Sequence, residues 1–159
     1  MKRNVVLAAA ALFMLMTIPA SAQYYWNAAG STATIDEAST AFYEFNNVSL
    51  RFKSGQTGTI VARYTVSGVS PNDPDFDTLI FSYGGPGVSL KLMRAYQCGG
   101  YVEEVASWGP STATDSNTCG DLDISTHAWD FYGHTYYLEV TLTRTTTSTN
   151  PQFHHAQLQ

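Results

Sequence analysis

The chain has 159 residues, with 13 acidic residues against eight lysines and arginines, and 13% of its residues are aromatic. The net charge of −5 and the scattered basic residues argue against binding to nucleic acid or to an anionic membrane, because both need clustered positive charge. The length suits one domain with a sizeable core.

Residues 1–22 have the pattern of a secretory signal peptide. Lys2 and Arg3 precede an apolar stretch at 5–19, and the Ala-Ser-Ala sequence at 20–22 is a small-residue cleavage site. An uncleaved membrane anchor is disfavoured, because the apolar stretch is shorter than the ~20 residues that span a bilayer. We therefore expect a secreted or periplasmic protein with one domain at 23–159. It would have no membrane span after cleavage and a net charge of −7, since six basic residues would then face 13 acidic ones.

One short segment before the first predicted strand has helical spacing. In residues 35–42 the apolar positions fall on one helical face, and Thr34 and Glu37 have the spacing of a capping box. A helix of at most two turns is expected there, with an irregular lead-in as the alternative.

Alternation of apolar and polar residues then predicts antiparallel strands along the chain. The alternating segments are 48–52, 60–66, 79–83, 88–92 and 136–142. Glycine-containing turns separate them, among them a two-residue connection at Gly99 and Gly100. About eight strands with turns at this spacing predict an all-β fold, a single antiparallel β-sandwich of jelly-roll type.

The acidic loop after the second of these strands has three aspartates at alternating positions: Asp73, Asp75 and Asp77. Calcium-binding loops of the EF-hand type begin with oxygen ligands at every second residue. The remainder of an EF-hand loop is missing, because Thr78 replaces the glycine and Gly84 replaces the bidentate glutamate. Two interpretations stay open, a calcium site of another type and a solvated acidic turn, and the incomplete ligand set favours the turn.

The sequence has two cysteines, Cys98 and Cys119. An even number of cysteines in an exported chain predicts one disulfide bond. A zinc site is disfavoured, because no further cysteine or histidine lies at the spacing of a tetrahedral site. We expect the bridge to fix the loop at 109–120 beside the hairpin at Gly99.

The four histidines give only a poor case for a metal site. His154 and His155 are adjacent and would point to opposite faces of a strand. His127 and His134 flank an aromatic segment and could meet across a turn, but two ligands fall short of the usual three. No metal cofactor is expected from them.

No catalytic motif is present. The sequence lacks the nucleophile-elbow, zinc-protease and phosphate-loop signatures. Glu103 and Glu104 are neighbours, but on a strand they would diverge to opposite faces, whereas glycoside hydrolysis needs two converging carboxyl groups. We expect a protein that is not an enzyme.

Several aromatic residues lie outside the predicted core pattern. Trp26, Tyr101, Trp108 and Tyr137 are the candidates for stacking on a sugar ring. The alternative is structural, with Trp108 covering a loop and Tyr137 pairing with a neighbour on the next strand.

Three segments resemble a group of known proteins. They are residues 58–66, the strand at 134–144 and its continuation from Asn150 to Leu158. They are similar to small secreted bacterial proteins of unassigned function, single β-sandwich domains behind a signal peptide. The resemblance implies export and the sandwich fold, and it supplies no site residues.

These observations favour a non-catalytic extracellular module that recognises a polysaccharide or another surface ligand, such as a protein partner. The alternative is a structural or assembly protein of the cell exterior, in which the same aromatic residues form the interface of a homo-oligomer.

Overall fold

The computed structural model describes residues 25–67 and 76–159, which form eleven strands and two single turns of 3-10 helix. The strands in chain order are β1 (Trp26–Ala29), β2 (Thr34–Ile35), β3 (Tyr43–Asn46), β4 (Ser49–Phe52), β5 (Gly58–Val66), β6 (Thr78–Gly84), β7 (Val88–Tyr96), β8 (Val102–Trp108), β9 (Thr118–Asp123), β10 (His134–Arg144) and β11 (Gln152–Leu158). The 3-10 turns are Gly30–Thr32 and Glu37–Ser39. The predicted signal peptide at 1–22 lies outside the described residues.

The strands form two antiparallel sheets. The six-stranded sheet has the order β3-β4-β11-β6-β9, with β1 also paired to β11, and the five-stranded sheet has the order β2-β5-β10-β7-β8. Consecutive strands along the chain often lie in different sheets, so the chain crosses repeatedly between the two layers. The predicted all-β sandwich is confirmed, with eleven strands rather than about eight.

Alternate residues of each strand point into the space between the sheets and form the core. Along β10 the inward residues are fully buried from Tyr136 to Leu142, and the same holds along β7 from Val88 to Leu92. No helix among the described residues is both long enough and apolar enough to span a bilayer.

The predicted helix at 35–42 is wrong. Its first residue belongs to β2, which pairs with β5, and Glu37–Ser39 forms only one 3-10 turn. The backbone N–H of Asp36 donates to the carbonyl of Val61, and the Val61 N–H donates to Ser39 Oγ, both at 3.0 Å. Pairing with the edge of β5 satisfies these backbone groups, so the local helical spacing does not decide the conformation.

The predicted disulfide is not formed, and both cysteines are free and exposed. Cys98 lies in the turn between β7 and β8 of the five-stranded sheet, whereas Cys119 lies on β9 of the six-stranded sheet, opposite Ser82. The turn itself has five residues, 97–101, and not the two predicted, with positive φ at Gly99 and Gly100. Counting cysteines does not reveal that the two thiols belong to different layers.

Candidate ligand site at one end of the sandwich

The inner face of the five-stranded sheet changes from apolar to polar at one end. On β10 the buried row that ends at Tyr136 continues with His134, and on β7 the row that ends at Leu92 continues with Arg94 and Tyr96. The register places Arg94 opposite Tyr136 and Tyr96 opposite His134. We call Arg94, Tyr96, His134 and Tyr136, together with residues 101–103 and 127–133, which pack on them, the aromatic end.

Arg94 is held by a carboxylate and by aromatic rings. Its Nη2 donates to Glu103 Oε2 at 2.5 Å and to the Tyr96 hydroxyl at 3.3 Å, and its guanidinium lies 5.4 Å from the centre of the Tyr96 ring. The Tyr96 hydroxyl also donates to Glu103 Oε2 at 3.3 Å. The hydrogen bond from Arg94 holds the pKa of Glu103 below its usual range, so this carboxyl group is ionised at neutral pH.

The turn at 130–133 is fixed by the side chain of Asp130. One carboxylate oxygen accepts the backbone N–H groups of Tyr132 and Gly133, both at 3.0 Å, and the other lies 2.9 Å from His134 Nδ1. The hydrogen bond from Gly133 is the largest cause that lowers the pKa of Asp130. The ionised carboxylate therefore holds the turn in one conformation at neutral pH.

Buried aromatic residues anchor this turn to the core. The Tyr136 hydroxyl accepts the backbone N–H of Asp130 at 3.1 Å and lies 3.3 Å from His127 Nε2. Trp129 donates from Nε1 to the carbonyl of Phe76 at 3.0 Å, and its ring stacks on Phe131 with centroids 5.5 Å apart. Partial burial lowers the pKa of His127, and the charge of Arg94 acts in the same direction.

Two tyrosine rings at this end face solvent. Tyr101 is 61% exposed and lies against Tyr96 with ring centroids 5.3 Å apart, while Tyr132 is 70% exposed. A hydrogen bond from the backbone N–H of Gln97 to the carbonyl of Gly133, at 3.2 Å, joins the turns that carry the two rings. The site thus presents flat amphipathic rings beside two ionised carboxylates.

Two buried nitrogen atoms of the aromatic end have no hydrogen-bond partner among the described residues, Arg94 Nε and His134 Nε2. His134 Nδ1 faces only acceptors, the carboxylate and the carbonyl of Asp130 at 2.9 and 3.2 Å, so Nδ1 carries a hydrogen. Buried polar atoms in folded proteins usually have hydrogen-bond partners. Two atoms without partners at this end therefore indicate that its residues serve a role besides stability.

Of the four predicted stacking residues, Tyr101 is the one at this site. Trp26 is only 7% exposed and donates from Nε1 to the carbonyl of Thr65, so its prediction as a stacking residue is wrong. Trp108 packs edge-on against Phe81 at 4.7 Å, so it has a structural role, but against the core and not over a loop as the alternative had it. Tyr137 is half-buried on the outer face of β10, opposite Thr65.

Tyr132 was not predicted, because an exposed tyrosine in an aromatic segment has the same sequence pattern as a core residue until the turn is known. His127 and His134 both lie near Tyr136, with ring centroids 5.6 and 6.4 Å from it. Among the described residues no three histidine, cysteine or acidic side chains are grouped as metal ligands.

The other predicted site residues lie elsewhere. Glu103 and Glu104 diverge as predicted, Glu103 to Arg94 and Glu104 to Lys91 on the outer face at 2.7 Å. Asp77 is exposed at the start of β6, and Asp73 and Asp75 of the predicted calcium loop lie outside the described residues.

No family model matches the chain, and no curated protein matches it by sequence. Solved structures with a similar fold include the CBM36-1 domain of a multidomain xylanase from the hindgut metagenome of Trinervitermes trinervoides. That similarity has a TM-score of 0.52 and 11% identity, over 86% of this chain and 97% of that domain. A carbohydrate-binding module CBM36 in complex with calcium and xylotriose gives a TM-score of 0.47 and 10% identity, over 84% of this chain and 99% of that one. At this identity the similarity to the xylanase domain establishes the sandwich fold.

Proposed function

We propose that this protein is a non-catalytic module that binds carbohydrate at the aromatic end. The observation that carries the proposal is the pair of exposed rings, Tyr101 and Tyr132, on turns that are fixed to each other and to the core. The fold shared with a domain of a multidomain xylanase supports the same class of ligand.

The chemistry of the aromatic end suits a sugar. A pyranose ring has an apolar face of C–H groups that packs on a flat aromatic ring, and tyrosine leaves its hydroxyl free for hydrogen bonds. The exposed parts of Glu103 and Asp130 can accept hydrogen bonds from sugar hydroxyls beside those rings. Because the turns are already ordered, binding costs little additional conformational entropy.

The same carboxylates are unsuited to glycoside hydrolysis. A glycosidase needs one carboxyl group with a raised pKa as the general acid. Here hydrogen bonds hold the pKa of Glu103 and of Asp130 below the usual range, with Arg94 and Gly133 as the main donors. Neither group would be protonated at neutral pH, which supports binding without catalysis.

The test is binding of soluble xylan and of an array of neutral and acidic glycans to the purified domain. We expect Tyr101→Ala and Tyr132→Ala each to weaken binding by about tenfold, the value of one lost ring contact. Phe45→Ala is the matched control, because Phe45 is 41% exposed on β3, away from the aromatic end. Wild-type affinity in both tyrosine variants would contradict the proposed site.

A second candidate function is assembly into a homo-oligomer at the cell exterior. The observation that favours it is the position of β8 at the edge of the five-stranded sheet, with Tyr101 and Val102 exposed at its beginning. A defined oligomer in light scattering after gel filtration, together with no glycan binding, would support assembly over carbohydrate recognition.

Export remains part of the proposal and rests on residues 1–22. Mass spectrometry of the protein recovered outside the cytoplasm should give a mature chain that begins at Gln23. Recovery of the intact chain in the cytoplasm alone would contradict it.

A further inference from the structure

A β-bulge in β11 turns two adjacent histidines toward the same face. Phe153 pairs with Tyr83 and His155 pairs with Ser82, so His154 is an extra residue between two consecutive pairs. Both His154 and His155 line one cleft on the outer face of the six-stranded sheet. The prediction that they point to opposite faces is therefore wrong, because it assumed a regular strand.

The cleft has a volume of about 500 Å³, which is in the range of small-molecule sites. Its floor is the bulge of β11 together with Ser82 of β6. One wall is the loop before β9, with Ser116 and Asn117, and the opposite wall contains Ala29 and Val48.

His154 connects the two walls. Its Nε2 lies 3.0 Å from the carbonyl oxygen of Ser116, and its Nδ1 lies 2.7 Å from Ser49 Oγ at the start of β4. A carbonyl only accepts, so Nε2 carries a hydrogen and donates it to Ser116. The imidazole therefore fixes the distance between the walls.

The Ser116 wall is also held by close packing on Gly84. A Cβ on Gly84 would lie only 2.4 Å from the Ser116 carbonyl oxygen, so the loop approaches the strand as closely as glycine allows. The cleft is thus fixed on both sides before any ligand arrives.

The lining is mainly apolar, and its polar groups carry no permanent charge. Ser82, Asn117 and His155 present a hydroxyl, an amide and an imidazole, and no lysine, arginine, aspartate or glutamate belongs to the described lining. Each of these three groups can both donate and accept hydrogen bonds, which matches hydroxyl groups. A phosphate or carboxylate ligand would find no cation to compensate its charge.

We propose that this cleft is a second ligand site, which takes a neutral oligosaccharide through Ser82, Asn117 and His155. It shares the ligand class of the proposed function and does not depend on the aromatic end. Because the cleft lies on the outer face of the six-stranded sheet and the aromatic end lies at one end of the sandwich, one chain would hold two glycan segments at once. Such a module bridges neighbouring polysaccharide chains and gains avidity on a dense surface.

The decisive experiment uses the Tyr101→Ala/Tyr132→Ala double variant, in which the two exposed rings of the aromatic end are removed. Its amide and histidine NMR spectra are recorded during titration with neutral oligosaccharides found on the array and with a trimer of galacturonic acid as the anionic probe. We expect neutral oligosaccharides to shift the Asn117 side-chain amide and the His155 ring signals. The anionic trimer should bind at least about tenfold more weakly.

In that background, His155→Ala and Asn117→Ala should each weaken binding by about tenfold. Gln157→Ala is the matched control, because Gln157 lies on the same face of β11 and outside the cleft lining, and it should leave binding unchanged. The proposal is overturned if no neutral glycan shifts these signals, if the anionic trimer binds equally well, or if the His155 and Asn117 variants bind as before. None of those results would contradict carbohydrate binding at the aromatic end, which the tyrosine variants test separately.

Discussion

Two arginines at opposite ends of the same inner face are held in different ways. Arg144 ends β10 and is 7% exposed, and its donors go to backbone carbonyls alone: Lys53 at 3.5 Å, Gln56 at 3.2 Å, Thr146 at 3.3 Å and Thr147 at 2.7 Å. Arg94, opposite the other end of β10, is paired with the carboxylate of Glu103 and lies over Tyr96.

The different partners of the two arginines indicate that one end of the inner face has a structural role and the other a role in binding. Arg144 fixes two loops, 53–57 and 145–151, by satisfying carbonyl groups that the strands leave free, which is a role in stability. Arg94 fixes the orientation of a carboxylate and a tyrosine beside solvent, and its Nε has no partner among the described residues. We infer that substitutions at the Arg144 end change stability alone, whereas those at the Arg94 end change binding as well.

The largest effect is expected at Arg144. Arg144→Met keeps an unbranched side chain but removes the guanidinium, which lies over the Phe52 ring and donates to the loop carbonyls, so the free energy of unfolding should fall by about 2–4 kcal/mol. Urea unfolding measures it, and glycan affinity of the folded fraction should not change. If the folded fraction of Arg144→Met also lost glycan affinity, the assignment of a purely structural role to the Arg144 end would be contradicted.

Tyr136→Phe should have a smaller effect on stability and a specific effect on binding. It removes the hydroxyl that accepts the Asp130 N–H, which should cost about 1–2 kcal/mol and loosen the turn that carries Tyr132. Tyr64→Phe is the matched control, because the buried Tyr64 hydroxyl donates to the Gly30 carbonyl at 2.9 Å, away from the aromatic end. Both variants should lose stability in urea, and only Tyr136→Phe should lose glycan affinity.

A smaller effect is expected from the titration of His127. Burial, and then the charge of Arg94, lower the pKa of His127, so the folded state binds this proton less readily than the unfolded chain, whose pKa is about 6.5. Its contribution is therefore present above about pH 6.5 and is lost as the pH falls toward the lower folded value. The urea midpoint should decrease between about pH 7.5 and about pH 5.5, and His127→Gln should reduce that decrease. An identical pH dependence in the variant would exclude His127 as its source.

The strands were predictable where the alternation is long. The segments 60–66, 79–83 and 136–142 lie within β5, β6 and β10, because each has one fully buried face and a mostly polar outer face. The short strands β1, β2 and β3 were not predicted, since two to four residues carry little periodicity, and β4 was found only because its residues alternate strictly between apolar and polar.

The site was harder to predict because it depends on pairing between distant segments. Tyr101 was identified from the sequence, but its ring partner Tyr96 lies on β7, and the turn that carries Tyr101 is joined to Gly133 through the Gln97 N–H. Trp26 was misassigned because its burial results from the pairing of β1 with the far end of the chain, at Leu158. The cleft was missed because a single bulge reverses the direction of His154, and a bulge leaves no mark on composition.

The acidic loop is where we expect the smallest effect. Three aspartates, Asp73, Asp75 and Asp77, are fewer ligands than the six to eight that calcium usually takes, so the solvated turn is the favoured interpretation. Melting temperatures in calcium and in chelator should then coincide, for the wild type and for Asp75→Asn alike. If the loop binds calcium, the ion at 100 times its dissociation constant would add about 2.7 kcal/mol and raise the melting temperature by several degrees. A shift of the melting temperature in the wild type that disappears in Asp75→Asn would establish the site. Magnesium requires a stricter coordination geometry than calcium, so a smaller shift with magnesium would identify calcium as the ion that the loop prefers.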